Sequence, residues 1–108
     1  MDIKFNVQED LYIFLSGELD HSALKIHKER IELKIATSPA KRIIINLEGL
    51  TFMDSAGISL IYNAYKTADE FMKKVIVVCN DEKIIKILTL AKMQDFVQIV
   101  SEHNEGVV

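Results

Sequence analysis

The segment Met53-Asp54-Ser55-Ala56-Gly57 holds the residues best suited to chemistry, because an acidic residue and a hydroxyl are followed by small residues and a long helical pattern. A serine at or near the N-cap of a helix can simply accept a backbone N–H bond, which is worth about 1 kcal/mol. An exposed serine there could instead be phosphorylated, which adds about 1.5 to 2 negative charges. The residues alone leave both roles open for Ser55.

Three kinds of enzyme site fit this chain poorly. The same segment is close to the G-x-S-x-G nucleophile elbow but lacks the first glycine, and a hydrolase of that architecture needs a longer chain for its other loops. A metal site needs three or four ligands, yet His21 and His27 would point about 240° apart on a helix. No glycine-rich phosphate-binding loop occurs. We therefore expect no catalysis, no metal and no cofactor.

The composition is that of a globular protein, with 49% hydrophobic and 27% charged residues in 108. Thirteen basic against sixteen acidic residues give a net charge of −3, which argues against a nucleic-acid partner. No apolar stretch approaches the roughly 18 residues of a membrane-spanning helix. The single Cys79 lies in an apolar run and suits a buried thiol in a reducing cytoplasm. We expect one domain over residues 1–108, cytoplasmic, with no membrane partner.

Hydrophobic periodicity predicts an α/β chain in which strands alternate with helices after an opening pair of strands. Strands are predicted at 3–7, 11–15, 42–47, 75–79 and 96–100. Helices are predicted from Asp20 to about residue 36, from about Ser55 through residue 72, and over 84–91. Asp20 is expected to cap the first helix and Asn80-Asp81 the third. The order β-β-α-β-α-β-α-β predicts a mixed sheet with a parallel centre and helices packed against it. Ser16-Gly17 is expected to end the second strand, and residues 101–108 to form a frayed or briefly helical tail.

Two segments carry further expectations about packing. The continuous β-branched run Arg42–Leu47 predicts a central strand, buried on both faces, under helices. In the first helix, Ile26 and Leu33 fall opposite the main apolar stripe. Either that second face is an exposed contact surface, or the helix is wedged between the sheet and a neighbouring helix, and both possibilities stay open.

Ligands and partners of open α/β sheets gather beyond the carboxyl ends of the strands. The turns 17–22 and 52–57 are predicted to lie there. We therefore expect the functional residues of this chain to come from these two turns.

Three stretches of the sequence resemble, in the correct order, the signature segments of one family. Ser-Gly-Glu-Leu-Asp-His-Ser at 16–22 is similar to the family's "sGelDhht" turn, Ile43–Leu47 to its central strand, and Phe52–Ile58 to its "fmDSsGl" signature. Together they resemble the STAS domain of bacterial anti-sigma-factor antagonists, over about residues 3–100. The element order predicted above agrees with that resemblance.

The resemblance implies a partner-switching protein whose phosphorylated serine is Ser55. In such antagonists the unmodified form binds an anti-sigma factor and frees the sigma factor. The anti-sigma factor is also a serine kinase that uses ATP, and a metal-dependent serine phosphatase resets the switch. The alternative is a STAS subunit of another regulatory or lipid-transport assembly.

The resemblance also implies a partner surface around Ser55, with two weaker candidates on the exposed side of the following helix. These residues are Asp20, His21, Asp54, Ala56 and Gly57, followed by Ser59 and Tyr62. Three departures from the family pattern are visible: Ala56 stands where many relatives carry a second hydroxyl, Lys73-Lys74 replaces a glycine, and little chain follows the last strand.

Overall fold

The structure, a computed structural model, describes residues 1–102. Within this range, five strands form one sheet, and three helices pack against it. The strands are β1 (Asp2–Val7), β2 (Leu11–Leu19), β3 (Arg42–Met53), β4 (Lys74–Val78) and β5 (Gln98–Val100). The helices are α1 (His21–Thr37), α2 (Ser55–Glu70) and α3 (Glu82–Leu90), and a 3₁₀ turn spans Met93–Asp95. The predicted order of strands and helices is confirmed.

The strands lie in the order β1-β2-β3-β4-β5, so each strand pairs with the next one along the chain. Strand β1 is antiparallel to β2, and every other pair is parallel. The mixed sheet with a parallel centre is therefore confirmed, and β3 is its middle strand. Because β2 and β3 are parallel neighbours, the turns that follow them lie side by side at one edge of the sheet.

The central strand β3 is buried on both faces, as its continuous apolar run predicts. Ile43 and Ile45 belong to the core that contains the buried side chains of all three helices. Ile44 points the other way and packs with Tyr12 and Ile76 in a smaller cluster made of strand residues. Among the described residues, the helices thus cover only one face of β3. The sequence predicts that helices cover this strand but does not say on which face.

The strands that lead to the two turns are longer than predicted. The expected break at Ser16-Gly17 is wrong: β2 continues to Leu19, and its pairing with β3 shifts register beside Gly17. Gly17 has a φ of +87°, a conformation open to glycine, so the chain forms a bulge and resumes pairing. Likewise β3 runs on to Met53, because this paired segment continues to bury apolar side chains such as Leu50.

Helix α2 ends earlier than its apolar pattern suggests. The helix stops at Glu70, and Met72, predicted to continue the buried stripe, is 90% exposed. Met72 has a φ of +56°, and the N–H of Lys73 bonds to the carbonyl of Ala68 at 2.9 Å, which closes the helix end. Glycine is the residue usually found in such a left-handed position. Lys73-Lys74 replaces the glycine of the family pattern, and in this chain it is Met72 that adopts the left-handed conformation at the end of α2.

Replacing Met72 with glycine is expected to raise the free energy of unfolding by about 0.5–1 kcal/mol. The left-handed conformation costs a side-chain-bearing residue about 1–2 kcal/mol, and the greater freedom of glycine in the unfolded chain offsets part of that gain. Denaturant unfolding measures the change, with Met72→Ala as the matched control, since alanine keeps the Cβ atom. Equal stability of the two variants would contradict the prediction.

The outer face of α1 settles the alternative that the sequence left open. Ile31 and Ile35 are buried in the core, whereas Ile26 and Leu33 are 72% and 65% exposed. Helix α1 does pack against β2 and α2, but its second apolar face is open to solvent rather than buried between them.

The C-terminal part departs from the sequence prediction in detail. Ala91 is exposed rather than packed, and β5 begins at Gln98 because Met93–Asp95 forms a 3₁₀ turn. Cys79 is buried as predicted, and burial raises the pKa of its thiol. Ser101 and Glu102 lie outside helices and strands. The rest of the predicted tail lies outside the described residues. Within residues 1–102, no helix is long and apolar enough to cross a bilayer.

Candidate functional site

Two helices begin side by side at the carboxyl edge of the sheet. Leu19, the last residue of β2, pairs with Met53, the last residue of β3. Asp20 and Asp54 follow directly, and the N–H of Asp54 bonds to the carbonyl of Leu19 at 3.4 Å. The two turns singled out in the sequence are therefore neighbours, and they bring the starts of α1 and α2 together.

Each helix start is capped by its aspartate. Asp20 Oδ1 accepts a bond from the N–H of Ala23 at 2.9 Å, which confirms the predicted cap of α1. Asp54 Oδ1 accepts a bond from the N–H of Ala56 at 2.8 Å. Asp54 is thus the N-cap of α2, and Ser55 is the first helical residue rather than the cap. The capping role that the sequence allowed for Ser55 belongs to its neighbour.

Ser55 is exposed, and in the described part of the chain no group hydrogen-bonds to its hydroxyl. The serine lies at the positive end of the α2 dipole, where added negative charge is favourable to the helix. His21, the first residue of α1, is exposed at the same edge. The geometry therefore offers a free hydroxyl to solvent, held by a helix start that does not depend on it.

Ala56 and Gly57 lie inside the molecule and offer no side chain to a partner. Ala56 is 7% exposed. A Cβ atom added to Gly57 would overlap Cγ and Sδ of Met53 and lie 3.1 Å from its Cε. The absence of a side chain at Gly57 thus lets Met53 pack beneath the first turn of α2. These two residues support the turn that presents Ser55.

An open groove of about 520 Å³ runs from Ser55 along α2. Its far side is built by the segment after α3, where the Phe96 ring meets Tyr62 edge-on at 5.3 Å between centroids. Tyr62 and Phe96 are 38% and 43% exposed. The lining residues are Ser55, Ile58, Ser59, Tyr62, Ala91, Met93 and Phe96. This groove, called the α2 groove, is lined by apolar side chains together with the hydroxyl-bearing residues Ser55, Ser59 and Tyr62.

One wall of the α2 groove is predictable from the sequence, and the other is not. Ser55, Ser59 and Tyr62 are four and three residues apart, a spacing that places them along one side of α2. Met93 and Phe96 come from a distant part of the chain, and no local pattern connects them with Ser55. Their position follows only from the packing of the 3₁₀ turn beside α2.

The site lacks the features of a metal centre in the part of the chain that the structure describes. No group of three or more histidine, cysteine, aspartate or glutamate side chains is placed to hold an ion there. The arrangement instead offers an apolar groove with an exposed hydroxyl beside it.

Residues 2–106 match the family model of the STAS domain, and the chain belongs to that family. Among curated relatives, it is similar to an anti-sigma F factor antagonist of Lysinibacillus sphaericus, with 44% identity over 54 residues. That stretch covers 50% of this chain and 46% of the relative. The matched segments span about half the length of the curated relatives.

Solved structures extend the likeness to nearly the whole chain. The unphosphorylated form of the anti-sigma factor antagonist SpoIIAA superposes with a TM-score of 0.71 at 25% identity, covering 97% of this chain and 92% of that one. The phosphorylated form of SpoIIAA from Bacillus superposes with the same TM-score at 24% identity, covering 94% and 93%. The two forms of SpoIIAA therefore resemble this fold equally well.

Proposed function

We propose that this chain is an anti-sigma-factor antagonist that is switched by phosphorylation of Ser55. The unmodified chain binds an anti-sigma factor and so frees a sigma factor, and the phosphorylated chain does not bind. Membership of the STAS family and the names of the relatives support this proposal. The observation that carries it is the exposed hydroxyl of Ser55 in the α2 groove, which forms no hydrogen bond with any residue of the described range 1–102.

The partner in this proposal contacts both helix starts and the α2 groove. Apolar side chains of the anti-sigma factor enter the groove beside Tyr62 and Ser59, while polar groups meet Asp20 and His21. Asp54 contributes indirectly. Its carboxylate accepts a hydrogen bond from the backbone N–H of Ala56, which caps α2 and fixes the position of Ser55. Ala56 and Gly57 shape the turn from within.

The proposed switch acts through charge and bulk at the interface. The helix start tolerates a phosphate on Ser55, so the modified chain keeps its fold. A partner lying over the turn, however, meets a group with about 1.5 to 2 negative charges that must lose its water. The phosphate also repels acidic side chains of the partner. Each such like-charge pair, at about 6 Å and an effective dielectric of about 20, costs on the order of 3 kcal/mol, or about a hundredfold in affinity.

The modifying enzyme in this proposal is the anti-sigma factor itself, acting as a serine kinase. The Ser55 hydroxyl oxygen attacks the γ-phosphorus of ATP, the bond to the β-phosphate oxygen breaks, ADP leaves, and the hydroxyl proton passes to a base of the kinase. A serine phosphatase then hydrolyses the phosphoserine with water and releases inorganic phosphate. In this proposal the chain supplies the acceptor hydroxyl, and the kinase supplies the catalytic groups.

The proposal is tested by incubating the purified chain with ATP and a candidate kinase and locating the phosphate by mass spectrometry. We expect one phosphate on Ser55 and none on the Ser55→Ala variant. A phosphate on Ser22, Thr51 or Ser59 instead would overturn the assignment of the site. Ser59 lines the same groove as Ser55, so the absence of phosphate on Ser59 is the strictest internal control.

A further inference from the structure

The outer face of α1 is an exposed apolar line that the proposed switch does not use. Ile26 and Leu33 are 72% and 65% exposed, although most large apolar side chains of this chain are buried. They are seven residues apart, so they lie on the same side of α1, about 10 Å from each other. Glu29 and Arg30 are exposed between them. This face runs down α1, away from the helix start near Ser55.

A groove opens next to Leu33 on this face. It has a volume of about 260 Å³ and is lined by Phe5, Arg30, Leu33, Lys34 and Thr37. The Phe5 ring is partly buried, with the Arg30 guanidinium 5.2 Å and the Lys34 ammonium 5.8 Å from its centroid. The groove therefore has an apolar floor and a cationic rim, and it has room for a large apolar side chain accompanied by a carboxylate.

The charge of α1 differs in sign from that of the whole chain. The helix carries four basic and two acidic residues, a net charge of +2 with histidines neutral, on a chain of net charge −3. Lys28 and Glu32 pair with each other at 2.9 Å. That leaves Lys25, Arg30 and Lys34 against Glu29 along the helix. An occupant of this face is therefore expected to be acidic.

From this combination we propose that the outer face of α1 is a second docking surface, which takes an acidic amphipathic helix of another protein. Two apolar side chains of that helix, two turns apart, make the apolar contacts: one packs on Ile26, and the other enters the groove beside Leu33. Carboxylates next to them pair with Arg30 and Lys34. A second copy of this chain fits less well, because pairing two α1 faces brings like charges together. A lipid surface also fits less well, because Ile26 and Leu33 offer little apolar area to a bilayer, and binding of a helix to a membrane surface increases with the apolar area that it buries.

The surface is separate from the Ser55 site, so its occupancy is independent of phosphorylation. It goes beyond the proposed function and would hold the chain in an assembly while the switch changes state. Residues that line the α2 groove, such as Tyr62, take no part in it.

The test uses a synthetic helical peptide with two leucines seven residues apart flanked by glutamates, and a control peptide of the same composition with the leucines on opposite faces. Both are titrated to 1 mM into the ¹⁵N-labelled full chain, with NMR shifts as the readout. We expect shifts centred on Phe5, Ile26, Arg30 and Leu33 with the first peptide only. Leu33→Ser and Arg30→Glu are each expected to weaken binding at least tenfold, whereas Leu90→Ser, at an equally exposed leucine on α3, changes it less than twofold.

Several results would overturn the inference. These are no binding at 1 mM, equal binding of the control peptide, or shifts confined to the α2 groove. Sedimentation of the chain as a dimer that Leu33→Ser dissociates would assign the face to a second copy, and binding to phosphatidylglycerol vesicles without peptide binding would assign it to lipid. Melting temperatures of the variants check that their folds are intact. No kinase or ATP is involved, so the outcome is independent of the Ser55 proposal.

Discussion

Replacing Ser55 with glutamate is expected to weaken binding to the anti-sigma factor about a hundredfold, since one added like-charge pair costs on the order of 3 kcal/mol. Ser55→Ala is expected to bind within about twofold of the unmodified chain, because the hydroxyl makes no hydrogen bond in the described structure and Asp54 provides the cap. Isothermal titration against the purified anti-sigma factor measures both affinities.

A charge placed elsewhere provides the control for this prediction. Thr89 is exposed on α3 and does not line the α2 groove, so Thr89→Glu adds the same charge outside the interface. It should leave the affinity within twofold. If Thr89→Glu weakened binding as much as Ser55→Glu, the loss would reflect net charge rather than a switch at Ser55.

The second large effect is expected at Gly57, where valine should lower the free energy of unfolding by about 3 kcal/mol. Its Cβ atom would overlap the Met53 side chain, which is itself buried, and overpacking of this kind costs typically about 1–3 kcal/mol or more. A glycine at this position could otherwise serve the close approach of a partner backbone. The burial of Gly57 instead indicates that the glycine makes room for Met53.

A double-mutant cycle with Met53→Ala isolates that contact. Removing Cγ, Sδ and Cε should relieve the clash, so Gly57→Val should cost less than about 1 kcal/mol in the Met53→Ala background. Denaturant unfolding of the four proteins gives the coupling. Loss of partner binding with unchanged stability would support the backbone-approach role and contradict the packing role.

The parts of the fold that could be predicted from sequence are those with a local physical cause. Continuous apolar runs such as Arg42–Leu47 and Val75–Cys79 identify buried strands, because both faces of such a strand need apolar cover. Asp20 and Asp81 precede helical patterns, and each caps its helix as expected. The position of Ser55 at the start of α2 followed from the same kind of local signal.

The sequence predictions were wrong mainly about where strands and helices end. Ser16-Gly17 reads as a break, but pairing with β3 carries the strand through the bulge at Gly17. Met72 continues an apolar spacing, yet the helix ends before it and leaves it in solvent. The far wall of the α2 groove, including Phe96, depends on how the segment after α3 packs, and no residue near Ser55 encodes that contact.

The central claim is that one phosphate on Ser55 abolishes partner binding and leaves the fold intact. The most direct test is to produce the chain with phosphoserine incorporated at position 55 during translation and to measure its affinity for the anti-sigma factor beside that of the unmodified chain. The account predicts a loss of at least about a hundredfold, with NMR shift changes confined to the two helix starts and the α2 groove. Equal affinities of the two forms, or shift changes spread through the sheet, would contradict it.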